Sequence, residues 1–216
     1  MKRILILLLS IGLVTGCTAI DDLSIESIIN DSLSSKYDLH NQVNSGFKFY
    51  LPRGLKIVKK DELNVIITSK YYDYYLYVDL VSYYNKKNGD YKRDETLFYS
   101  ELLDYDKKKG IVNIKEVDVE NVILDVTFNY ANIQVKVKKD DINKALMNVM
   151  AIVGNITYQD DVIKSLLDDD VLSSSDELIN VFDTDKSDTQ VLDVDDTYTG
   201  NEEEDYDPDV IPNYSE

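Results

Sequence analysis

Apolar and polar positions alternate most regularly between residues 122 and 138. One face of the first segment consists of Val122, Leu124, Val126, Phe128 and Tyr130. After a turn expected near Ala131 and Asn132, apolar residues return at Ile133, Val135 and Val137. Successive side chains of a strand point to opposite faces, so this pattern predicts a β-hairpin with one buried face.

The spacing changes to that of a helix after residue 140. Its apolar stripe consists of Ile142, Ala145, Leu146, Val149, Ile152 and Val153. Asp140 or Asp141 is expected to cap its start, and Gly154 to occupy the C′ position that ends it. Ile25, Ile28, Ile29 and Leu33 give a shorter stripe of the same kind. The sequence therefore predicts a main C-terminal helix and a short N-terminal helix.

Seven tyrosines lie between residues 71 and 84, where we predict a long strand. The even positions are mostly apolar: Tyr72, Tyr74, Leu76, Val78 and Leu80. The odd positions include Asp73 and Asp79, whose charges are costly to bury, so this face should meet water. Tyr75 and Tyr77 share that face and are the predicted binding residues, because tyrosine favours recognition surfaces. The alternative is that tyrosine is present only for its β propensity.

The remaining pattern is weaker but completes a fold class. Short strands are predicted at residues 47–51, 65–68, 111–117 and 156–158, while residues 90–105 suit either a helix or a strand. Weak helices are predicted at residues 162–167 and 176–182. This order predicts an α+β domain: an antiparallel sheet with the main C-terminal helix and the short N-terminal helix packed on it.

The first 17 residues indicate export. Lys2 and Arg3 precede an apolar run that ends in Leu-Val-Thr-Gly-Cys, and Cys17 is the only cysteine. The run is shorter than the roughly 20 residues that cross a bilayer, which suits a signal peptide. The pattern resembles the bacterial lipobox. That resemblance implies cleavage after Gly16, acylation (palmitate) on Cys17, and a lipid-anchored protein on the extracytoplasmic face of the cell membrane. The alternatives are an ordinary cleaved signal and an uncleaved anchor.

The charge is concentrated at the C-terminus. Residues 160–216 contain 20 Asp and Glu but two Lys, so this segment accounts for the whole net charge of −18. Little apolar surface follows residue 182, so residues 183–216 are expected to be a disordered acidic tail. Such a tail disfavours nucleic acid as a partner. The predicted organisation is a signal peptide (1–16), a tether with a short helix (17–43), the domain (44–159), short helices (160–182) and the tail.

Two motifs of the domain carry a second resemblance. The chain opens the domain with Phe-x-Phe-x-Leu-Pro-x-Gly at residues 47–54, and Asn-Ile-Thr-Tyr follows the main helix at residues 155–158. This combination resembles the Mog1/PsbP-like sandwich found in small secreted bacterial proteins. The resemblance implies a binding or assembly module and supplies no catalytic residues.

Candidate chemistry is sparse. With Cys17 acylated there is no free thiol, and His40 is the one histidine that could serve a triad, although it lies in a polar linker. Residues 183–187 match the first half of a calcium loop, but Asp188 and Val194 stand where glycine and glutamate are needed. Two carboxylate pairs, Asp104 with Asp106 and Asp118 with Glu120, could serve a hydrolase. We expect no metal and no cofactor.

These observations predict a membrane-anchored extracytoplasmic lipoprotein with a small, non-catalytic interaction domain. Its expected partners are the membrane, through the lipid on Cys17, and a protein of the cell envelope. The alternative is a ligand- or glycan-binding accessory lipoprotein of an envelope complex. A carboxylate-dependent hydrolase is the third hypothesis.

Overall fold

The computed structural model of the chain describes residues 23–35 and 40–168. The predicted signal peptide, Cys17, the predicted helix at residues 176–182 and the predicted acidic tail at residues 183–216 lie outside this range. The described part has the predicted α+β class, with antiparallel sheets and packed helices.

A seven-stranded antiparallel sheet forms the centre of the fold. Its strands are β3 (Lys56–Lys60), β4 (Asn64–Thr68), β5 (Asp73–Val78), β6 (Tyr99–Tyr105), β7 (Lys108–Glu116), β8 (Asn121–Phe128) and β9 (Ala131–Lys138). They lie in the order β3-β4-β5-β9-β8-β7-β6. A smaller sheet contains β1 (Gln42–Asn44), β2 (Phe47–Phe49) and β10 (Thr157–Tyr158), with β2 in the middle. The sequence pattern did not predict β1 or β3.

Four α-helices accompany the sheets in the described part of the chain: α1 (Ile25–Ser34), α2 (Leu80–Tyr84), α3 (Ile142–Gly154) and α4 (Asp160–Asp168). A short 3-10 turn at Lys139–Asp141 leads from β9 into α3. Helix α3 packs on β8 and β9, and α1 packs on α3. The main C-terminal helix therefore lies on the sheet, as expected, whereas the short N-terminal helix packs on the main helix.

The core lies between α3 and one face of the large sheet, which we call the inner face. Leu146 and Val149 of α3 are fully buried, as are Leu124 and Ile133 of the hairpin. Register explains the arrangement, because Leu124 is opposite Val135 and the even face of β5 continues the same apolar surface. The core also includes Ile28 of α1 and Ile163 of α4, which lie outside residues 44–159.

The tyrosine-rich segment differs from its prediction. The strand ends at Val78, and Leu80–Tyr84 forms helix α2 instead of continuing the strand. Asp79 causes the change, since its carboxylate accepts a hydrogen bond from the backbone N–H of Ser82 at 2.8 Å and caps the helix. Within the strand, the prediction of faces is confirmed: Tyr74, Leu76 and Val78 are buried.

Three further details correct or complete the pattern. The turn of the main hairpin lies at Asn129 and Tyr130, not at residues 131–132, and both residues have positive φ. Gly154 is the last residue of α3 rather than its C′ glycine, because Asn155 follows with φ −106° and Gly154 has no positive φ. The ambiguous segment 90–105 is irregular up to residue 98 and then forms β6.

Candidate functional site

The predicted binding residues lie on the face of the large sheet opposite to the core, which we call the outer face. Tyr75 is opposite Ile66 of β4 and Gln134 of β9, and Tyr77 is opposite Asn132. Both tyrosines are half-buried rather than fully exposed. Burial raises the pKa of Tyr75, and the nearby charge of Asp73 raises it further. That this face binds a partner stays a prediction.

A row of polar side chains continues from Tyr75 across the outer face. Gln134 is opposite Asp125 of β8, and Asp125 is opposite Asn113 of β7. Asn113 in turn is opposite Ser100 of β6, whose hydroxyl donates to Asn113 Oδ1 at 2.8 Å. We call these residues (Tyr75, Gln134, Asp125, Asn113 and Ser100) the polar row. The sequence showed single polar positions on each strand, but only the register brings them into one line.

Asp125 is the electrostatic centre of the polar row. Its carboxylate accepts hydrogen bonds from Asn132 Nδ2 at 2.6 Å and from Gln134 Nε2 at 3.3 Å. Burial nevertheless raises the pKa of Asp125, because the two amide donors only partly replace the water that the carboxylate has lost. Gln134 is itself buried (3% exposed), so the accessible part of the polar row includes Tyr75, Asn113 and Ser100, which are half-buried.

A second aromatic group lies at one end of the sheet and was missed by the sequence analysis. Tyr83 of α2 stacks on Tyr158 of β10, with ring centroids 3.8 Å apart, and Tyr130 contacts both rings edge-on. We call Tyr83, Tyr130 and Tyr158 the tyrosine cluster. Lys86 Nζ lies 3.8 Å from the centroid of the Tyr83 ring, a cation–π geometry. The three tyrosines come from distant parts of the chain, so no local pattern could have revealed the cluster.

Hydrogen bonds join the tyrosine cluster to α4 and to the hairpin turn. The Tyr83 hydroxyl donates to Asp160 Oδ1 of α4 at 2.8 Å, and the Tyr158 hydroxyl donates to the Asn129 carbonyl. Burial and then the hydrogen bond to Asp160 raise the pKa of Tyr83 to about 12. Burial also raises the pKa of Tyr158 well above its usual value. Both phenols thus stay protonated and act as donors that hold α4 and the hairpin turn in place.

The residues that were considered as catalytic candidates make contacts that support the local structure. His40 Nε2 lies 2.8 Å from Thr157 Oγ1. The side-chain amide of Asn121 donates to the Asp118 carboxylate, as do the backbone N–H groups of Glu120 at 2.9 Å and Asn121 at 2.8 Å, and these hydrogen bonds lower the pKa of Asp118. Asp106 lies in the tight turn between β6 and β7, with φ 50°. Within residues 23–35 and 40–168, no three acidic, His or Cys side chains are grouped to hold a metal.

Two depressions mark the surface of the described part. One, of about 490 Å³, lies at the start of α3 and is lined by Ile25, Phe98 and residues 139–144. The other, of about 270 Å³, lies between the end of α1 and β10 and includes Ser35, Tyr105 and Thr157 in its lining. No helix among the described residues is long and apolar enough to cross a membrane.

Comparisons with known proteins identify no family for this chain. No protein-family model matches the sequence, and no curated protein matches it. Among solved structures, the chain is similar to a GTP-binding regulator from Thermotoga maritima, with 12% sequence identity over 61% of this chain and 89% of that chain. The TM-score of that superposition is 0.22, which supports no inference about this chain.

Proposed function

We propose that this protein is a membrane-anchored extracytoplasmic lipoprotein whose small domain binds a partner without catalysing a reaction. The observation that carries the proposal is the run Leu-Val-Thr-Gly-Cys at residues 13–17, which ends at the only cysteine of the chain. A diacylated or triacylated cysteine is a stable anchor, whereas one acyl chain is marginal. The domain then lies outside the cytoplasm on the surface of the cell membrane.

Replacement of the cysteine tests the anchor. Cys17→Ala should release the protein from the membrane fraction and abolish labelling by a palmitate analogue. Thr18→Ala, one position further on, is the matched control and should leave both unchanged. A Cys17→Ala protein that remains in the membrane pellet, still cleaved after Gly16, would contradict the proposal.

The outer face is the surface that we propose for a protein partner of the cell envelope. Tyr75 and Tyr77 present half-buried rings on it, beside the exposed carboxylate of Asp73. Aromatic side chains of this kind give large contact areas at a low cost in conformational entropy. They suit a partner with apolar or basic groups, and truncation of such contacts costs about 2 kcal/mol of binding free energy.

The double variant Tyr75→Ser, Tyr77→Ser tests this surface. It should fold and stay anchored, yet lose a crosslinked partner on intact cells. Tyr84→Ser is the control, because Tyr84 is an exposed tyrosine (43%) that lies on α2 and not on a strand of the large sheet. An unchanged set of crosslinked proteins would show that the face has no partner, and an unfolded double variant would make the tyrosines structural.

The polar row supports a second candidate function, binding of a glycan in an envelope complex. Sugar hydroxyls both donate and accept hydrogen bonds, and the row offers the half-buried Asn113 amide and Ser100 hydroxyl, with Tyr75 on the same face. Titration of the protein with soluble cell-wall glycan fragments should shift the NMR signals of β7, β8 and β9. Asn113→Ala should weaken that response, whereas Tyr84→Ser should preserve it. Shifts confined to other strands would exclude the polar row as the binding site.

A further inference from the structure

One end of the large sheet gathers the start of both long helices. Asn143 Nδ2 of α3 donates to the Leu23 carbonyl at 2.8 Å, which places the entry to α1 beside the entry to α3. Strand registers bring further turns to the same end. Asn121, at the start of β8, is opposite Lys138 at the end of β9, and Tyr99 at the start of β6 is opposite Ile114 near the end of β7.

Exposed apolar side chains lie in the turns at this end. They are Tyr71 (72% exposed), Phe98 (51%), Val117 (45%) and Val119 (88%), and we call this end the valine end. Tyr72, next to Tyr71, donates its hydroxyl to Asp141 Oδ2 at 2.5 Å, which fixes the β4–β5 turn against the entry to α3. The valine end is therefore built from three separate segments that lie at the same end of the large sheet.

The turn that carries Val119 is rigid. Asp118 accepts hydrogen bonds from two backbone N–H groups of that turn, at 2.8 and 2.9 Å. These hydrogen bonds favour the conformation in which the Val119 side chain is 88% exposed. Of the carboxylates near it, Glu116 pairs with Lys139 at 2.6 Å and Asp118 accepts the hydrogen bonds of its own turn, while Glu120 is exposed to solvent.

The length of chain before α1 limits where an anchor can lie. Cys17 and Leu23 are six residues apart in the sequence, and an extended chain spans at most about 3.5 Å per residue. The anchored sulfur therefore lies within about 20 Å of Leu23. The sheet itself is longer, because a nine-residue strand such as β7 spans about 30 Å. The opposite end, with the tyrosine cluster, is too far from Leu23 to face the anchor, because the six residues from Cys17 to Leu23 are shorter than the sheet is long.

We propose that the valine end contacts the surface of the lipid bilayer that holds the Cys17 anchor. This inference rests on the proposed function and adds an orientation to it. Val119, Phe98 and Tyr71 insert into the headgroup and upper acyl region, where aromatic and short apolar side chains are favoured. Lys70, whose Nζ lies 5.1 Å from the centroid of the Tyr71 ring, reaches the phosphates. The outer face is left accessible at the side of the anchored domain.

Because the sequence contains no tryptophan, a single introduced tryptophan is a fluorescence reporter without background emission from other indoles. The chain from Cys17 to Glu216 is produced with Val119→Trp and coupled through its only thiol to a maleimide lipid in phosphatidylcholine vesicles. Brominated phosphatidylcholine quenches an indole that touches the bilayer. We expect the Val119→Trp protein to lose emission and shift to shorter wavelength on coupling. Phe98→Trp, a conservative change, should behave in the same way and serves if Val119→Trp does not fold.

The matched control is Val162→Trp. Val162 lies on α4, beyond the tyrosine cluster at the opposite end, and is 40% exposed. Its indole should keep the spectrum seen without vesicles. Equal quenching of the variants at both ends, quenching of Val162→Trp alone, or quenching of neither would overturn the inference.

Because the anchor is attached chemically, these results do not depend on processing in the cell. The mass of the Cys17 peptide from the native host tests the proposed function separately. A native Cys17 without lipid would refute that function, and the quenching would still decide which end faces an anchored bilayer.

Discussion

Tyr83 and Tyr158 stack with their ring centroids 3.8 Å apart and their planes 18° apart. The two residues are 75 positions apart in the sequence, on α2 and β10, and this contact joins the small sheet to the end of β5. Tyr158 also donates its hydroxyl to the Asn129 carbonyl in the hairpin turn. The tyrosine cluster therefore brings together side chains of α2, the hairpin turn and β10.

Removal of the Tyr158 hydroxyl should destabilise the fold while leaving the stacked ring in place. Tyr158→Phe takes away the donor of the Asn129 carbonyl, and an unpaired buried acceptor costs about 1–2 kcal/mol of the free energy of unfolding. Urea denaturation measures the loss. Tyr84→Phe is the control, because Tyr84 is exposed, and should change the midpoint little. Equal midpoints for both variants would show that the hydroxyl of Tyr158 contributes nothing.

Tyr130 occupies an unfavourable backbone conformation. Its φ is 63° and that of Asn129 is 51°, values typical of the two-residue turn that usually contains glycine at the second position. The ring is retained because it packs edge-on against Tyr83 and Tyr158. We predict that Tyr130→Gly is more stable than Tyr130→Ala by about 1 kcal/mol, since both lose the ring but only glycine relieves the backbone. Thermal unfolding of the two variants measures this difference in stability. A more stable alanine variant would contradict the prediction that the backbone of Tyr130 is strained.

Asp125 should make the fold more stable in mild acid. Its pKa is raised by burial, so the native state binds a proton more readily than the unfolded chain. The stabilisation from that proton is complete below the unfolded pKa and is lost as the pH rises through the folded pKa. Relative to Asp125→Asn, the wild type should therefore gain free energy of unfolding between pH 7 and pH 4. Denaturant titrations at both values measure the difference. If the free energy of unfolding of the wild type minus that of Asp125→Asn stays constant or falls between pH 7 and pH 4, the shift is refuted.

Local patterns predicted the elements whose faces differ strongly in polarity. The alternation at residues 122–128 gave β8 and its buried face, and the stripe from Ile142 to Val153 gave α3. Strand β3 was missed because it is an edge strand, with three lysines in five residues and a bulge next to Val58. Edge strands carry charges that discourage pairing with other chains, so they lack the apolar alternation used to recognise a strand.

The candidate site was predictable only in part. The residues facing outward on β5 followed from the two aspartates, and Tyr75 and Tyr77 do lie on the outer face. Prediction of the polar row would have required the order of five strands, which the spacing of residues in the sequence does not specify. The tyrosine cluster needed helix α2, and that helix replaces the second half of the predicted strand because Asp79 caps it. The one signal in the sequence that could have indicated the change is Asp79 itself, because aspartate is a residue type that favours the N-cap position of a helix.

Gly154 gives a test of the corrected end of α3. If it were a C′ glycine with positive φ, alanine would be strained there, but the structure places it in the helix with open space around its Cα. Gly154→Ala should therefore stabilise the protein by about 0.5–1 kcal/mol, because alanine loses less backbone entropy in a helix. Gly110→Ala is the contrasting variant. A Cβ at Gly110 would lie 1.9 Å from the Thr127 carbonyl oxygen, so β7 and β8 would be forced apart at a cost of about 1–3 kcal/mol or more. Thermal unfolding should show that the two substitutions shift the midpoint in opposite directions. A destabilised Gly154→Ala protein would instead support the C′ position that the sequence pattern predicted for Gly154.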